Sequence, residues 1–173
     1  MKCEYCDIID RKSRAQILYE DDEAVVAVKD LVALPGQITV FPKEHFTIME
    51  TVPDKILEKC SLLAGKVSTA IFDGLECQGT NVIVQNGLGA GQKVPHFALE
   101  VIPRRENDGL NFQWKPIQLV EEEMERTSEL LEAGMSEVEK EEKKKTIVIE
   151  DKKTEVKLEK GENYLLKSLR RKP

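Results

Sequence analysis

Apolar and polar positions along this chain change period several times. Residues 16–20 predict a short strand, Asp21 and Asp22 a turn, and the valine-rich residues 24–29 its partner strand. Pro35-Gly36 marks a further turn, and residues 38–41 predict a third strand stopped by Pro42. Between residues 53 and 72 the apolar positions Ile56, Leu57, Cys60, Leu63, Val67, Ala70 and Ile71 keep a 3.6-residue period. They predict a long helix with Thr51 as N-cap, Pro53 in its first turn and Gly74 at its end. Residues 81–85 and 96–102 predict two more strands, separated by a loop at 86–91 too glycine-rich for a regular element. The order implies an α+β domain, with a five-stranded antiparallel sheet packed on the long helix.

The pattern changes after Pro103. Residues 104–115 predict a loop anchored by Phe112 and Trp114. Residues 116–145 predict a highly charged helical region with a broken apolar stripe: Leu119, Met124, Leu130, Leu131, Met135 and Val138. Gly134 is a candidate kink. Residues 147–149 and 155–158 resemble a small hairpin, and Tyr164, Leu165, Leu166 and Leu169 could dock on the body. The expected organisation is a domain at 1–105 and a C-terminal extension at 106–173.

Composition narrows the class. The chain has 173 residues, 40% hydrophobic and 34% charged, enough for one domain with a core. No segment approaches the roughly 20 apolar residues of a membrane span. The start, Met-Lys-Cys-Glu-Tyr-Cys-Asp, lacks an apolar run with a cleavage site, so a cytoplasmic location is expected. A net charge of -6 argues against broad nucleic-acid binding. The basic tip (Lys167, Arg170, Arg171 and Lys172) reads first as a solubilising end, with RNA binding through the tail a weaker reading.

The candidate chemistry lies in Cys3-x-x-Cys6 and in the two histidines of the chain, His45 and His96. Disulfides are the weaker reading for a chain of this kind. Two thiolates and two imidazoles make a tetrahedral zinc set, and soft sulfur ligands favour zinc over magnesium or calcium. The alternative is two free cysteines and two ordinary loop histidines, and spacing alone leaves both open. With four protein ligands such a site has no open position, so it would be structural.

Residues 86–104 read Asn-Gly-Leu-Gly-Ala-Gly-Gln-Lys-Val-Pro-His-Phe-Ala-Leu-Glu-Val-Ile-Pro-Arg. This segment resembles the signature of the histidine triad (HIT) family, whose members bind nucleotides and hydrolyse or transfer nucleoside monophosphates. The resemblance spans roughly residues 3–105 and includes Asp30, the Pro35-Gly36 turn and Phe41-Pro-Lys-Glu-His45. It implies zinc held by Cys3, Cys6, His45 and His96, and a homodimer. It also implies a purine nucleotide or nucleoside monophosphate as ligand, with Asp30 on the ribose hydroxyls and Asn86, Gly89, Gly91 and Gln92 near the phosphates.

The chain departs from that pattern at the triad itself. The family's three alternating histidines fall here at His96, Ala98 and Glu100. Residues two apart on a strand share a face, so these three should line the phosphate site together. A methyl group at Ala98 cannot attack phosphorus, which removes the family's nucleotidyl-histidine intermediate. Glu100 should repel an anion unless it is protonated, paired with a lysine or arginine, or bridged by a metal. Gln37 stands where members commonly have histidine. Three readings follow: a zinc-stabilised nucleotide-binding or sensing protein without the usual chemistry, an interaction module with no nucleotide, and a phosphohydrolase using Glu100 as general base.

Overall fold

The computed structural model describes residues 3–146. The element order is α1 (Glu4–Ile9), β1 (Ala15–Glu20), β2 (Ala24–Lys29), β3 (Ile38–Pro42), α2 (Asp54–Leu75), β4 (Gly79–Ile83), β5 (Leu99–Arg104) and α3 (Glu121–Thr146). The five strands form one sheet in the order β1-β2-β3-β5-β4, and every neighbouring pair is antiparallel. This is the expected α+β architecture, with a long helix against a five-stranded sheet and a C-terminal extension. The expected hairpin at 147–149 and 155–158, and the docking of Tyr164 to Leu169, lie outside the described residues.

Side-chain alternation splits the core into two layers. On one face Ala24, Val26, Val40, Leu99 and Val101 pack with Cys60, Ala64, Ile71 and Phe72 of α2. With buried Ser68 between them, those helix positions recur every three or four residues, so one stripe of α2 faces the sheet. On the other face Val25, Ala27 and Phe41 pack with Cys3, Tyr5 and Ile8 of the N-terminal segment. Burial on both faces explains why β2 reads Ala-Val-Val-Ala-Val without polar interruption.

Several element ends differ from expectation. α2 begins after Pro53, with no side-chain cap. Thr51 instead ends a short 3₁₀ turn, where its hydroxyl donates to the Ile48 carbonyl at 2.7 Å. The helix continues through Gly74, the carbonyl of Leu75 accepts from the Arg105 guanidinium, and Glu76 takes the left-handed conformation. β4 starts and ends two residues early. The segment at 3–12, expected as a metal-binding turn, contains the helix α1.

Of the described residues, 111–146 belong to a second unit. Within it α3 runs unbroken through Gly134, which an exposed helix tolerates. Trp114, expected as an anchor, is 84% exposed. Residues 110–120 form no regular element that could cover its ring. Among the described residues no helix is long and apolar enough to cross a membrane.

Candidate functional site

The thiols of Cys3 and Cys6 meet the rings of His45 and His96. Cys3 is the N-cap of α1 and Cys6 lies in its first turns, so the helix aims both sulfurs the same way. His45 follows the end of β3, and His96 lies in the bend before β5. The Cys3 Sγ to His96 Nδ1 distance is 3.4 Å, Cys6 Sγ to His45 Nδ1 is 3.3 Å, and Cys6 Sγ to His96 Nδ1 is 3.7 Å. All four donor atoms lie within 4.8 Å of one another.

These distances suit an ion. Zinc with sulfur at about 2.3 Å and nitrogen at about 2.0–2.1 Å has tetrahedral S···N edges of about 3.5 Å. The His96 ring is oriented for it. Its Nε2 is 2.9 Å from the Pro42 carbonyl, which can only accept, so Nε2 carries the proton and the Nδ1 lone pair faces the sulfurs. Burial, reinforced by nearby His45 and only partly offset by the Pro42 bond, lowers the pKa of His96 to about 4, so the ring is neutral at pH 7. Burial and neighbouring Cys3 raise the Cys6 thiol to about 11. A bound cation reverses that preference and holds the thiolate. The Cys/His cluster is thus capable of coordinating a metal.

His96 and Ala98 were expected inside the last strand, but β5 begins at Leu99. The His96 amide bonds the Val94 carbonyl and the Phe97 amide bonds Phe46, so the ladder cannot start earlier. The expected alternation nonetheless holds. His96, Ala98 and Glu100 face the α1 side, while Phe97, Leu99 and Val101 enter the α2 core.

Glu100 is surrounded by donors. Oε1 accepts from Lys29 Nζ at 2.8 Å and from the Tyr5 hydroxyl at 3.1 Å. Oε2 accepts from Gln37 Nε2 at 2.7 Å and from the Thr39 hydroxyl at 2.8 Å. A carboxylate offers about four lone-pair sites, and four donors fill them. The Lys29 and Glu100 side chains are only 12% and 13% exposed. Burial disfavours the Lys29 ammonium, but Glu100 and Tyr5 outweigh it and hold Lys29 above the usual lysine range. Tyr5 also accepts from Lys29 at 3.0 Å and stacks on Phe41 with ring centroids 4.8 Å apart. Its phenol is pushed up to about 12, by burial first and then by Glu100.

Tyr5, Lys29 and Thr39 were not singled out from the sequence as partners. Two signals were available: an aromatic residue between the two cysteines, and a lysine closing an otherwise apolar strand.

The remaining expected ligand residues lie in two places. Asp30 is exposed at the end of β2, on the wall of a cleft of about 420 Å³ lined also by Ile8, Arg11, Ser13, Arg14, Ala15 and Gln16. Asn86, Gly89, Gly91 and Gln92 belong to the glycine loop, and none of them lines that cleft. Asn86 Oδ1 accepts from the Met49 amide, and its Nδ2 donates to both Glu50 oxygens at 2.8 Å. Gln92 bonds the Gly87 amide and the Thr47 and Val94 carbonyls. Gly91 has φ of +82°, so a side chain there is disfavoured by the left-handed backbone, and its Cβ would lie 3.0 Å from Gln85 Nε2. Gly89 meets no such neighbour.

With this geometry in place, comparison with known proteins is informative. Residues 10–107 match the HIT domain. An uncharacterised HIT-like protein of Methanocaldococcus jannaschii is 32% identical over 108 residues, covering 62% of this chain and 82% of the relative. An adenylylsulfatase of Arabidopsis thaliana is 34% identical over 109 residues, covering 62% of this chain and 55% of that protein. A crystal structure of a HIT family member from Bacillus subtilis superposes with a TM-score of 0.70 at 26% identity, covering 77% of this chain and 96% of that one. A zinc-bound histidine triad family protein from Mycobacterium smegmatis superposes with a TM-score of 0.60 at 26% identity, covering 81% and 97%. The sheet, the glycine loop before β5 and the match over residues 10–107 agree, and the chain belongs to the HIT family.

Proposed function

We propose that this chain is a zinc-stabilised member of the family that binds a nucleoside or nucleotide without nucleotidyl-histidine chemistry. The observation that carries the reading is the contrast within one segment: His96 stands in a four-donor metal cluster, while two residues on the nucleophile position is Ala98. Zinc would be held by Cys3, Cys6, His45 and His96, and would supply structural cross-linking of the N-terminal segment to the sheet. The zinc-bound relative from Mycobacterium smegmatis supports the choice of metal.

Ala98 has no lone pair with which to form a covalent bond to phosphorus, so the family's two-step transfer has no first step here. Asp30, on its cleft wall, would accept from ribose hydroxyls, and the loop carrying Asn86, Gly89, Gly91 and Gln92 would border the 5′ end of the ligand. We assign residues 1–105 to the ligand-binding domain and 106–173 to an extension, in a cytoplasmic homodimer.

The test is calorimetry with adenosine, guanosine, AMP, GMP, ADP and dinucleotides, beside an assay for AMP release from phosphoramidates. Binding without turnover is expected. The absence of binding below millimolar concentration, or turnover at rates typical of enzymes, on the order of 1 per second or faster, would overturn the reading.

One observation favours the interaction-module reading. Met124, Leu130, Leu131, Met135 and Val138 of α3 are all about half exposed or more. An apolar stripe of this kind is a common partner surface. Co-purification of a partner that is lost on truncation after Arg105 would support it. The general-base reading for Glu100 has the least support, since both its oxygens are already saturated with donors and leave no position for a water to be activated.

A further inference from the structure

Resting on the nucleoside-site reading above, we infer that the site selects unphosphorylated nucleosides over nucleoside 5′-phosphates. Lys29 and four amides of the glycine loop, groups that would meet a phosphate, are already bonded within the protein, and two carboxylates border them.

The Lys29 ammonium is a cation placed beside the triad face, and Glu100 and Tyr5 hold it at 2.8 and 3.0 Å. For Lys29 to turn toward a phosphate it must leave a buried carboxylate without its counter-ion, which is strongly unfavourable. If it stays, the phosphate faces a pair with no net charge and a carboxylate at the nearer triad position.

Much of the glycine loop is committed in the same way. Backbone amides of such loops bind anions when their N–H groups point outward. Here the Gly87 amide donates to Gln92 Oε1, and the Ala90, Gly91 and Gln92 amides donate to carbonyls of Gly87 and Leu88. The Asn86 carboxamide nitrogen is held by both oxygens of Glu50, which brings a second carboxylate to the loop.

Asp30 sits differently. It is exposed on the wall of its cleft, where a carboxylate accepts well from neutral sugar hydroxyls. A ligand that offers hydroxyls to Asp30 and brings no anion to the triad face matches what the two places present. Glu100 is then a specificity-determining residue: by holding Lys29 it withdraws the cation that a phosphate would need.

The experiment is isothermal titration calorimetry on the full chain with adenosine, guanosine, cytidine, uridine and each 5′-monophosphate. At least one nucleoside should bind about tenfold more tightly than its own monophosphate. Glu100→Gln should narrow that gap, because the released Lys29 ammonium tightens the monophosphate. The wild-type comparison decides the matter alone should that variant fail to fold. Equal or tighter binding of the monophosphates by the wild-type protein overturns the inference but leaves the nucleoside-site reading intact. An unchanged gap in a folded Glu100→Gln protein overturns the role given to Glu100. Binding of neither class overturns the nucleoside site itself and the inference with it.

Discussion

Gln37 donates through Nε2 to Glu100 Oε2 at 2.7 Å, so the residue that leads into β3 fixes a carboxylate of β5. Gln37 is 6% exposed, and its Oε1 accepts from the Ala33 amide at 2.8 Å. An amide can bridge in this way because it donates and accepts at once. A histidine at 37 facing a histidine at 100 would give a different, titratable pair. The present pair, with Thr39, Tyr5 and Lys29, forms a polar cluster in which no buried side-chain atom is left unpartnered among the described residues.

The Lys29–Glu100 ion pair should therefore be strongly coupled. Lys29→Met is expected to cost about 3 kcal/mol or more, because it strands a buried carboxylate. The double variant Lys29→Met with Glu100→Met should cost less than the sum of the two single changes. Urea denaturation of all four proteins measures the coupling. Additive costs would show that the two charges do not depend on each other.

How far the sequence predicted this arrangement can be argued residue by residue. β2 and α2 were legible because valine runs and a 3.6-residue period report burial directly. The metal quartet was legible because cysteine and histidine are scarce here and chemically specific. Glu100 was legible as an anomaly, but its partners were not. Lys29 is 71 residues away in sequence and Tyr5 is 95 away, and only the antiparallel order β2-β3-β5 with α1 on one face brings them together. The start of β5 was misplaced for a similar reason. Phe97 has an apolar, strand-like neighbourhood, yet its amide is taken by Phe46 from outside the ladder.

Metal removal should loosen the N-terminal segment. α1 has six residues, too few to persist alone, and it reaches the sheet through Tyr5, Ile8 and the cysteines. A purified sample should carry about one zinc per chain by elemental analysis. Chelation, or His96→Ala, should lower the Tm by about 10 °C or more, as expected when several kcal/mol of binding energy is lost. An unchanged Tm after verified metal removal would exclude a structural role.

Two glycines should respond in opposite directions to alanine. Gly36 has φ of +88°, and a Cβ there would collide with the Leu75 side chain and come within 3.4 Å of Pro103 Cγ. Gly36→Ala should destabilise by about 1–2 kcal/mol, chiefly through left-handed backbone strain, since the Leu75 side chain can move. Gly65 lies exposed in α2 with open space around its Cα. Gly65→Ala should stabilise by about 0.5–1 kcal/mol through helix propensity and a less flexible unfolded chain. Urea midpoints of the two variants, measured side by side, check both signs.

Stability should also fall on acidification, and Asp21 offers a way to see its own share. Asp21 turns the chain between β1 and β2, where its carboxylate accepts from the Glu23 and Ala24 amides at 2.9 Å each. It also meets the Tyr19 hydroxyl at 2.7 Å and Lys59 Nζ at 2.8 Å. Burial alone would raise its pKa, but these donors outweigh it and hold the carboxyl well below the usual aspartate value of 3.8. With the folded pKa depressed, the stabilisation is fully present above the unfolded pKa near 4 and is lost as pH falls through the folded value. Asp21→Asn keeps one acceptor and removes the charge. It should be less stable than wild type by about 1 kcal/mol at pH 7, the scale of a charge-assisted bond at a partly exposed turn. The gap between the two proteins should narrow steadily as pH falls from about 4 towards 2. Acid would also protonate metal-binding thiolates, but that loss is common to both chains and cancels in the difference. Thermal melts of the pair from pH 7 to pH 2 read the effect, and a gap that did not narrow would assign it to lost packing at the turn instead of lost charge.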